Sequence, residues 1–343
     1  MDLIREFLRR DRGADLKVNS ETAAGPIELK IDVTDAVTLS EGPTYISGWL
    51  FLPPDRREDD LLTLVICVPG GSYTKAYYHQ VVPGRFDYSF ATWLANKGLL
   101  VLALDHLGVG DSSRPADGAQ VTVELMATAH HAAVLAIKDQ LSRGTLTSSL
   151  GPLQIPFIVG VGHSLGGCVT LVQEATHKTY GAIGIFGYPC QRNPDVYDYD
   201  RRCWIAQAEQ PSRNGYARPS RSAFRTFFHF PDVPEDVLAI DDATITSVPD
   251  GIHSLAYPGG AAEYAAEIDV PVFLGWGEID ASPAHGEPAF YKQSNDVTLF
   301  LLPGSGHCHN SASTRHLLWE RLSAWIETVS KTHKLDLGSR GSG

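Results

Sequence analysis

The chain has 343 residues and a formal charge of −12, with 43% hydrophobic and 20% charged residues. That balance suits a globular protein with a sizeable core, and its acidity excludes the basic face that nucleic acid or an anionic membrane surface would need. At this length, one large α/β core carrying an insertion fits better than two full domains.

The start, MDLIREFLRRDRGADLKV, has charges throughout and no apolar segment of signal length. Residues 1–20 are therefore expected to form an amphipathic helix packed on the body or on another subunit. No stretch approaches the ~20 apolar residues of a membrane span. Residues 27–36 and 44–53 alternate and are rich in β-formers, the pattern of an antiparallel pair at a sheet edge. Residues 61–71, LLTLVICVPGG, are apolar without a break, as in a strand buried on both faces.

Strand and helix then alternate. A helix over 86–98 leads to a strand over 99–108, a long helix over 121–144 to a strand over 156–164, and a helix over 165–177 to a strand over 180–189. Strands over 270–280 and 297–307 follow, then an amphipathic helix from Ser311 to about Lys334 and a flexible tail over 335–343. This rhythm predicts a mostly parallel, doubly wound sheet with functional residues just past the strand C-termini. The core would comprise 1–190 and 266–343. Between them, 191–265 lacks a buried strand and is rich in prolines, aromatics and arginines, so it reads as an inserted lid of short helices joined by turns. All seven of its arginines fall in its first half, where they either form ion pairs on a solvated face or position an anionic substrate group. The lid, or the N-terminal helix, is the expected contact of any homo-oligomer.

Five cysteines, Cys67, Cys168, Cys190, Cys203 and Cys308, are odd in number and contain no CxxC pair. Reduced, mostly buried thiols in a reducing, cytoplasmic setting are the expectation.

Residues 158–167 read IVGVGHSLGG. Within them Gly162-His163-Ser164-Leu165-Gly166 has the form G-x-S-x-G between a predicted strand and a predicted helix. There the serine occupies a sharp, strained turn, and the helix offers its N-terminal N–H groups to developing negative charge. A serine hydroxyl needs a neighbouring base to act as a nucleophile. Asp280 lies just beyond the strand residues 270–276, and His307 in a glycine-rich loop past the next strand. Imidazole titrates in the right range, and a carboxylate behind it fixes the tautomer and stabilises the imidazolium. Glu278 competes with Asp280, and His309 with His307. Asp195, an acid beyond the strand at 180–189, lies well into the lid. Two imidazoles two residues apart need at least a third ligand to hold a metal, and none is near in sequence, so no metal is expected. A dinucleotide loop on Gly160, Gly162 and Gly166 has the wrong spacing, and the next strand ends without the acid that would bind ribose.

GHSLG at 162–166, GEID at 277–280, GSGH at 304–307, PGG at 69–71 and DHLGVGDSS at 105–113 occur in one order. Through them the chain resembles the α/β-hydrolase superfamily over nearly its whole length. The resemblance implies an eight-stranded, mostly parallel sheet with a lid, and Ser164, His307 and Asp280 as catalytic residues, Asp280 matching the family's position better than Glu278. It implies an oxyanion hole from the N–H of Leu165 and of Gly71, with Ser72 the alternative after a shift of one residue. The family's His-Gly-x is here Pro69-Gly70-Gly71-Ser72, with proline in place of histidine. Tyr73, His163 and Trp204 are the expected substrate-binding side chains.

The implied activity is a serine hydrolase that cleaves a carboxylic ester or lactone of a small to medium apolar or aromatic molecule through an acyl-enzyme, with no cofactor. A C–C bond hydrolase, a thioesterase or an acyltransferase would use the same three residues. A receptor-like binding protein with vestigial hydrolysis is the alternative of another class.

Overall fold

The unbroken apolar runs of the sequence become the central strands of a sheet. The computed structural model describes residues 25–39, 42–57, 59–192 and 208–340. In chain order the strands are β1 (Ile27–Asp32), β2 (Tyr45–Phe51), β3 (Leu61–Val68), β4 (Leu100–Leu104), β5 (Gln154–His163), β6 (Ala182–Phe186), β7 (Ala208–Arg213), β8 (Tyr216–Pro219), β9 (Val248–Pro249), β10 (Val272–Gly277) and β11 (Val297–Leu302). The helices are α1 (Phe90–Asn96), α2 (Val123–Arg143), α3 (Leu165–His177), α4 (Arg225–Phe228), α5 (Glu235–Ala243), α6 (Ala262–Ala266) and α7 (Arg315–Arg340).

Eight strands form one sheet in the order β1-β2-β4-β3-β5-β6-β10-β11. The β1–β2 and β2–β4 pairs are antiparallel, and every other pair is parallel. β4 and β6 are buried at every residue, because helices cover both faces. Met126, Val134 and Ile137 of α2 and Leu171 of α3 belong to one core cluster; Leu94 of α1 and Trp319 and Leu322 of α7 belong to the other. Local signals set the helix limits. Thr122 caps α2 by accepting from Leu125 N, and Gly144 ends it in the left-handed region at φ 66°. All eight strands expected from the sequence are present.

Two segments depart from the sequence reading. Where only short helices are expected in 191–265, the described part also holds a three-stranded antiparallel sheet, β7-β8-β9. Its hairpin turn is Asn214-Gly215, both with positive φ (54° and 73°), as a two-residue turn of this kind requires. Strands of four and two residues, β8 and β9, are too short to show a period. At the other end, α7 continues to Arg340, so 335–340 is helical rather than a flexible tail. Nothing in Leu335-Asp336-Leu337 breaks a helix that is already nucleated.

Residues 1–20, Asp195, Cys203 and Trp204 lie outside the described residues. The four described cysteines are free and buried. Among the described residues no helix is long and apolar enough to cross a membrane.

Buried neutral histidines make this fold acid-sensitive. His106, His130 and His163 are fully buried, and burial pushes each ring below its ordinary value, His106 to about 4. Neither ring nitrogen of His130 has a protein partner. In the unfolded chain these rings titrate near ~6.5. Below that pH the unfolded state binds protons that the folded state does not, so stability falls as pH drops. Burial raises the carboxyl of Glu174 to about 7 and that of Glu287 upward, which acts in the opposite direction. Denaturant midpoints between about pH 7.5 and about pH 5 should decline, and His130→Leu should flatten that decline. An unchanged slope in the variant would remove His130 from this account.

Candidate active site

The carboxyl ends of β3, β4, β5, β10 and β11 converge on one rim. Ser164 follows β5 directly and sits at φ 52°, ψ −119°, a strained conformation for a residue with a side chain. The turn is tight because its neighbours are glycines. A Cβ on Gly162 would lie 2.1 Å from the Gly166 carbonyl oxygen, and one on Gly166 would lie 2.1 Å from that of Val68. Ser164 N donates to Phe186 O at 2.7 Å, which ties the turn to the end of β6. Leu165 opens α3, so its N–H has no partner within that helix.

Asp280 and His307 meet. His307 Nδ1 lies 2.6 Å from Asp280 Oδ1, with the Asp280 side chain only 1% exposed. A carboxylate accepts, so Nδ1 carries the proton and the neutral ring keeps its lone pair on Nε2. His309, the rival in sequence, donates from Nε2 to Asp280 Oδ2 at 3.0 Å. Both histidines thus serve one carboxylate. Burial alone would raise the Asp280 carboxyl. The His307 charge and the hydrogen bonds from His307 and His309 outweigh burial and hold it far below the ordinary carboxylate range. Glu278 is exposed and accepts from Gly304 N at 2.8 Å, away from either ring.

The His307 loop is braced by α4. His307 N donates to Phe227 O at 3.0 Å and Cys308 N to Phe228 O at 2.8 Å. Phe227 stacks on the imidazole with ring centres 4.9 Å apart and planes 19° apart. On the other side, His163 Nε2 donates to His307 O at 2.8 Å while its ring stacks on Tyr77. Ser164 and His307 line one cavity, and no hydrogen bond joins their side chains in this structure. Such contacts are commonly loose without substrate and tighten around it.

The loop after β3 is fixed from several sides. Tyr73 N donates to Gly70 O at 3.2 Å, closing a turn in which Ser72 has a positive φ of 64°. Gly71 lines the cavity and Ser72 does not. Pro69, where the family has histidine, offers its carbonyl to His106 Nε2 at 2.8 Å. Asp105, the first residue of the DHLGVGDSS motif, accepts from Lys75 N and Lys75 Nζ, each at 2.7 Å, and from Asp111 N at 3.0 Å. Lys75 and Asp105 are both buried. Removing one partner of such a pair typically costs about 3–5 kcal/mol. Sequence reasoning missed Lys75, although its place in the loop just past the buried β3 was the available signal.

The cavity holds about 140 Å3 and has aromatic walls, among them Tyr73, Tyr188, Phe224, Phe227, Phe228 and Tyr257. None of the described residues lining it is an aspartate, glutamate, lysine or arginine. Tyr73 and His163 are wall residues, but their bonded polar atoms point away from the cavity: the Tyr73 hydroxyl to Asp241 and Cys308, His163 Nε2 to the His307 carbonyl. Among the described residues of 191–265, Arg221 forms an ion pair with Asp241 and Arg225 with Asp242. Tyr188 and Tyr257 were not legible as wall residues, although Tyr188 lies just past the end of β6, where such sheets place ligand contacts.

No curated protein matches the sequence. Solved structures match the fold. A thermophilic esterase from Thermogutta terrifontis, with malate bound, is 16% identical over 88% of this chain and 99% of its own, with a TM-score of 0.56. Proline iminopeptidase from Mycobacterium smegmatis is 16% identical over 91% of this chain and 100% of its own, with a TM-score of 0.57. Bromoperoxidase from Bacillus anthracis is 15% identical over 89% and 100%, also with a TM-score of 0.57. At such identities the likeness reaches the fold and no further. The model of the Alpha/beta hydrolase family matches residues 65–316, from within β3 into α7, and so takes in every strand end of the rim. With that sheet, that rim and that match, the chain belongs to the alpha/beta hydrolase family.

Proposed function

We propose that the protein is a serine hydrolase that cleaves neutral carboxylic esters or lactones of small to medium, apolar or aromatic molecules. The observation that carries this reading is the Asp280–His307 pair at 2.6 Å, whose ring shares a cavity with Ser164 on a strained turn. Ser164 Oγ adds to the ester carbonyl while His307 Nε2 takes its proton. The tetrahedral oxyanion accepts from the N–H of Leu165 and of Gly71. The C–O bond to the alcohol then breaks, and His307 returns the proton to the departing oxygen. Water attacks the acyl-enzyme with His307 again as base, and the carboxylic acid leaves with Ser164 restored. Asp280, ionised at any working pH, orients the ring and stabilises the imidazolium. The segment between β6 and β10 acts as a lid, with Phe227 and Phe228 packed against the imidazole.

Neutrality of the substrate follows from the cavity. A carboxylate buried there would meet no lysine or arginine among the described lining residues, at a cost of several kcal/mol. Turnover of p-nitrophenyl hexanoate should therefore exceed that of mono-p-nitrophenyl adipate by about 100-fold or more in kcat/KM. Equal rates would overturn the neutral-substrate assignment.

Ser164→Ala should lower kcat by roughly 10^4-fold or more and abolish labelling by a fluorophosphonate. A variant that kept a tenth of the activity would sink the nucleophile assignment. Product release beyond one equivalent per chain separates an enzyme from a binding protein that reacts once. His309→Phe removes one donor from Asp280 while leaving the His307 contact, so kcat should fall roughly 10-fold, with His309→Gln recovering part of the loss. Wild-type kcat in His309→Phe would mean that Asp280 needs only one ring.

A further inference from the structure

The loop that would hold the oxyanion is gripped by a side chain from the lid. Arg221 is only 4% exposed. Its Nη2 donates to Ser72 O at 3.0 Å, and its Nη1 donates to Asp241 Oδ2 at 2.7 Å and to Asp241 O at 3.1 Å. Its guanidinium carbon stands 3.7 Å from the centre of the Tyr73 ring. Thr246 N also donates to Ser72 O at 3.0 Å. Arg221 therefore touches two consecutive residues of the loop, one through a carbonyl and the other through a ring face.

Those two residues matter because of the conformation between them. Ser72 has its φ in the left-handed region, which is strained for a non-glycine residue and persists only where the surroundings impose it. The Ser72 carbonyl is the one group of that residue that accepts two donors from the lid. The same lid knot also reaches the His307 loop. Tyr73 Oη lies 3.2 Å from Asp241 Oδ2 and 3.0 Å from Cys308 Sγ, while His229 Nε2 lies 3.1 Å from Asp241 Oδ2.

We propose that Arg221 is a positioning residue for the oxyanion loop. From the lid it holds the Ser72 carbonyl and the Tyr73 ring, and so keeps the Gly71 N–H aimed at the reacting carbonyl. The inference rests on the reading that Ser164 is the nucleophile and Gly71 a donor to the oxyanion. An oxyanion exists only once Ser164 Oγ has added to the carbonyl, so a misaimed donor costs transition-state binding and leaves substrate binding alone.

Three variants test this. Arg221→Lys keeps the charge beside Asp241 but not the fork that reaches Ser72. Arg221→Met breaks both contacts, and Arg221→Met combined with Asp241→Leu does so without stranding a buried carboxylate. Each is assayed on p-nitrophenyl hexanoate and titrated with an alkyl trifluoromethyl ketone, which takes up Ser164 Oγ at its carbonyl and presents an oxyanion while His307 holds the proton. Hexan-1-ol, a neutral ligand with no carbonyl, reports pocket binding without an oxyanion.

The expected result is a fall in kcat of roughly 10- to 100-fold with KM within about 2-fold of wild type. Trifluoromethyl ketone affinity should weaken in step with kcat, hexan-1-ol affinity should hold, and millimolar guanidinium should restore part of the activity of Arg221→Met. If the double variant does not fold, Arg221→Lys carries the same readouts. Wild-type kcat and ketone affinity in a folded variant would overturn the proposal, and so would parallel losses in hexan-1-ol and ketone binding, which mark a general loosening of the pocket. Activity surviving in Ser164→Ala would instead remove the underlying reading. Inactive Ser164→Ala alongside fully active Arg221 variants removes this inference alone.

Discussion

The carboxylate of Asp280 accepts four hydrogen bonds in a place that water barely reaches. Oδ1 takes His307 Nδ1 and Ala281 N, and Oδ2 takes His309 Nε2 and Gly277 N. A buried anion is tolerated only when its lone pairs are met in this way. The consequence is geometric: the end of β10 and the loop after β11 are drawn onto one atom pair, and the imidazole between them loses its freedom to turn. Gly187 makes the room. It has φ 62°, and a Cβ there would lie 2.9 Å from His307 Nδ1.

The rest of the rim follows the same logic of polar knots. Loops past strand ends have left the sheet ladder, so their carbonyls and N–H groups must find partners elsewhere. Asp105 meets the backbone of Lys75, His106 meets Pro69, and Arg221 meets Ser72. Such buried charges add little net stability, because desolvation opposes them, but they penalise any loop shape that breaks them. In the Asp241 knot, burial by itself would raise the carboxyl, yet the hydrogen bond from His229 and the charge of Arg221 together bring it below its ordinary value. Asp241 thereby stays the anion that Arg221 needs. The described lining of the cavity between the knots has no aspartate, glutamate, lysine or arginine. On the proposed reading, its chemistry is carried by one ring, one hydroxyl and backbone N–H groups, which suits a neutral substrate whose charge appears only during reaction.

The central core strands were legible because their apolar runs are continuous, and β1 and β2 because their residues partly alternate. G-x-S-x-G and the Ser164, Asp280, His307 order were legible because Ser164 follows β5 directly and the other two lie in the short loops past β10 and β11. The three-stranded sheet β7-β8-β9 was not, although Asn214-Gly215 marked its turn, because strands as short as β9 carry no period. The role of His309 was hidden for a different reason. Next to His307 in sequence it looked like a rival for one task, and only the fold shows both rings turned to the two oxygens of one carboxylate.

Sequence alone determined the sheet, its winding and the strand ends where chemistry would gather, since hydrophobic periodicity and glycine placement are local properties of the chain. Which polar side chains close on which loop was decided in three dimensions. Arg221 and Ser72 are 149 residues apart, and Lys75 and Asp105 are 30 apart. Pairings at such distances depend on how the helices and the lid settle on the sheet, and local patterns do not encode that.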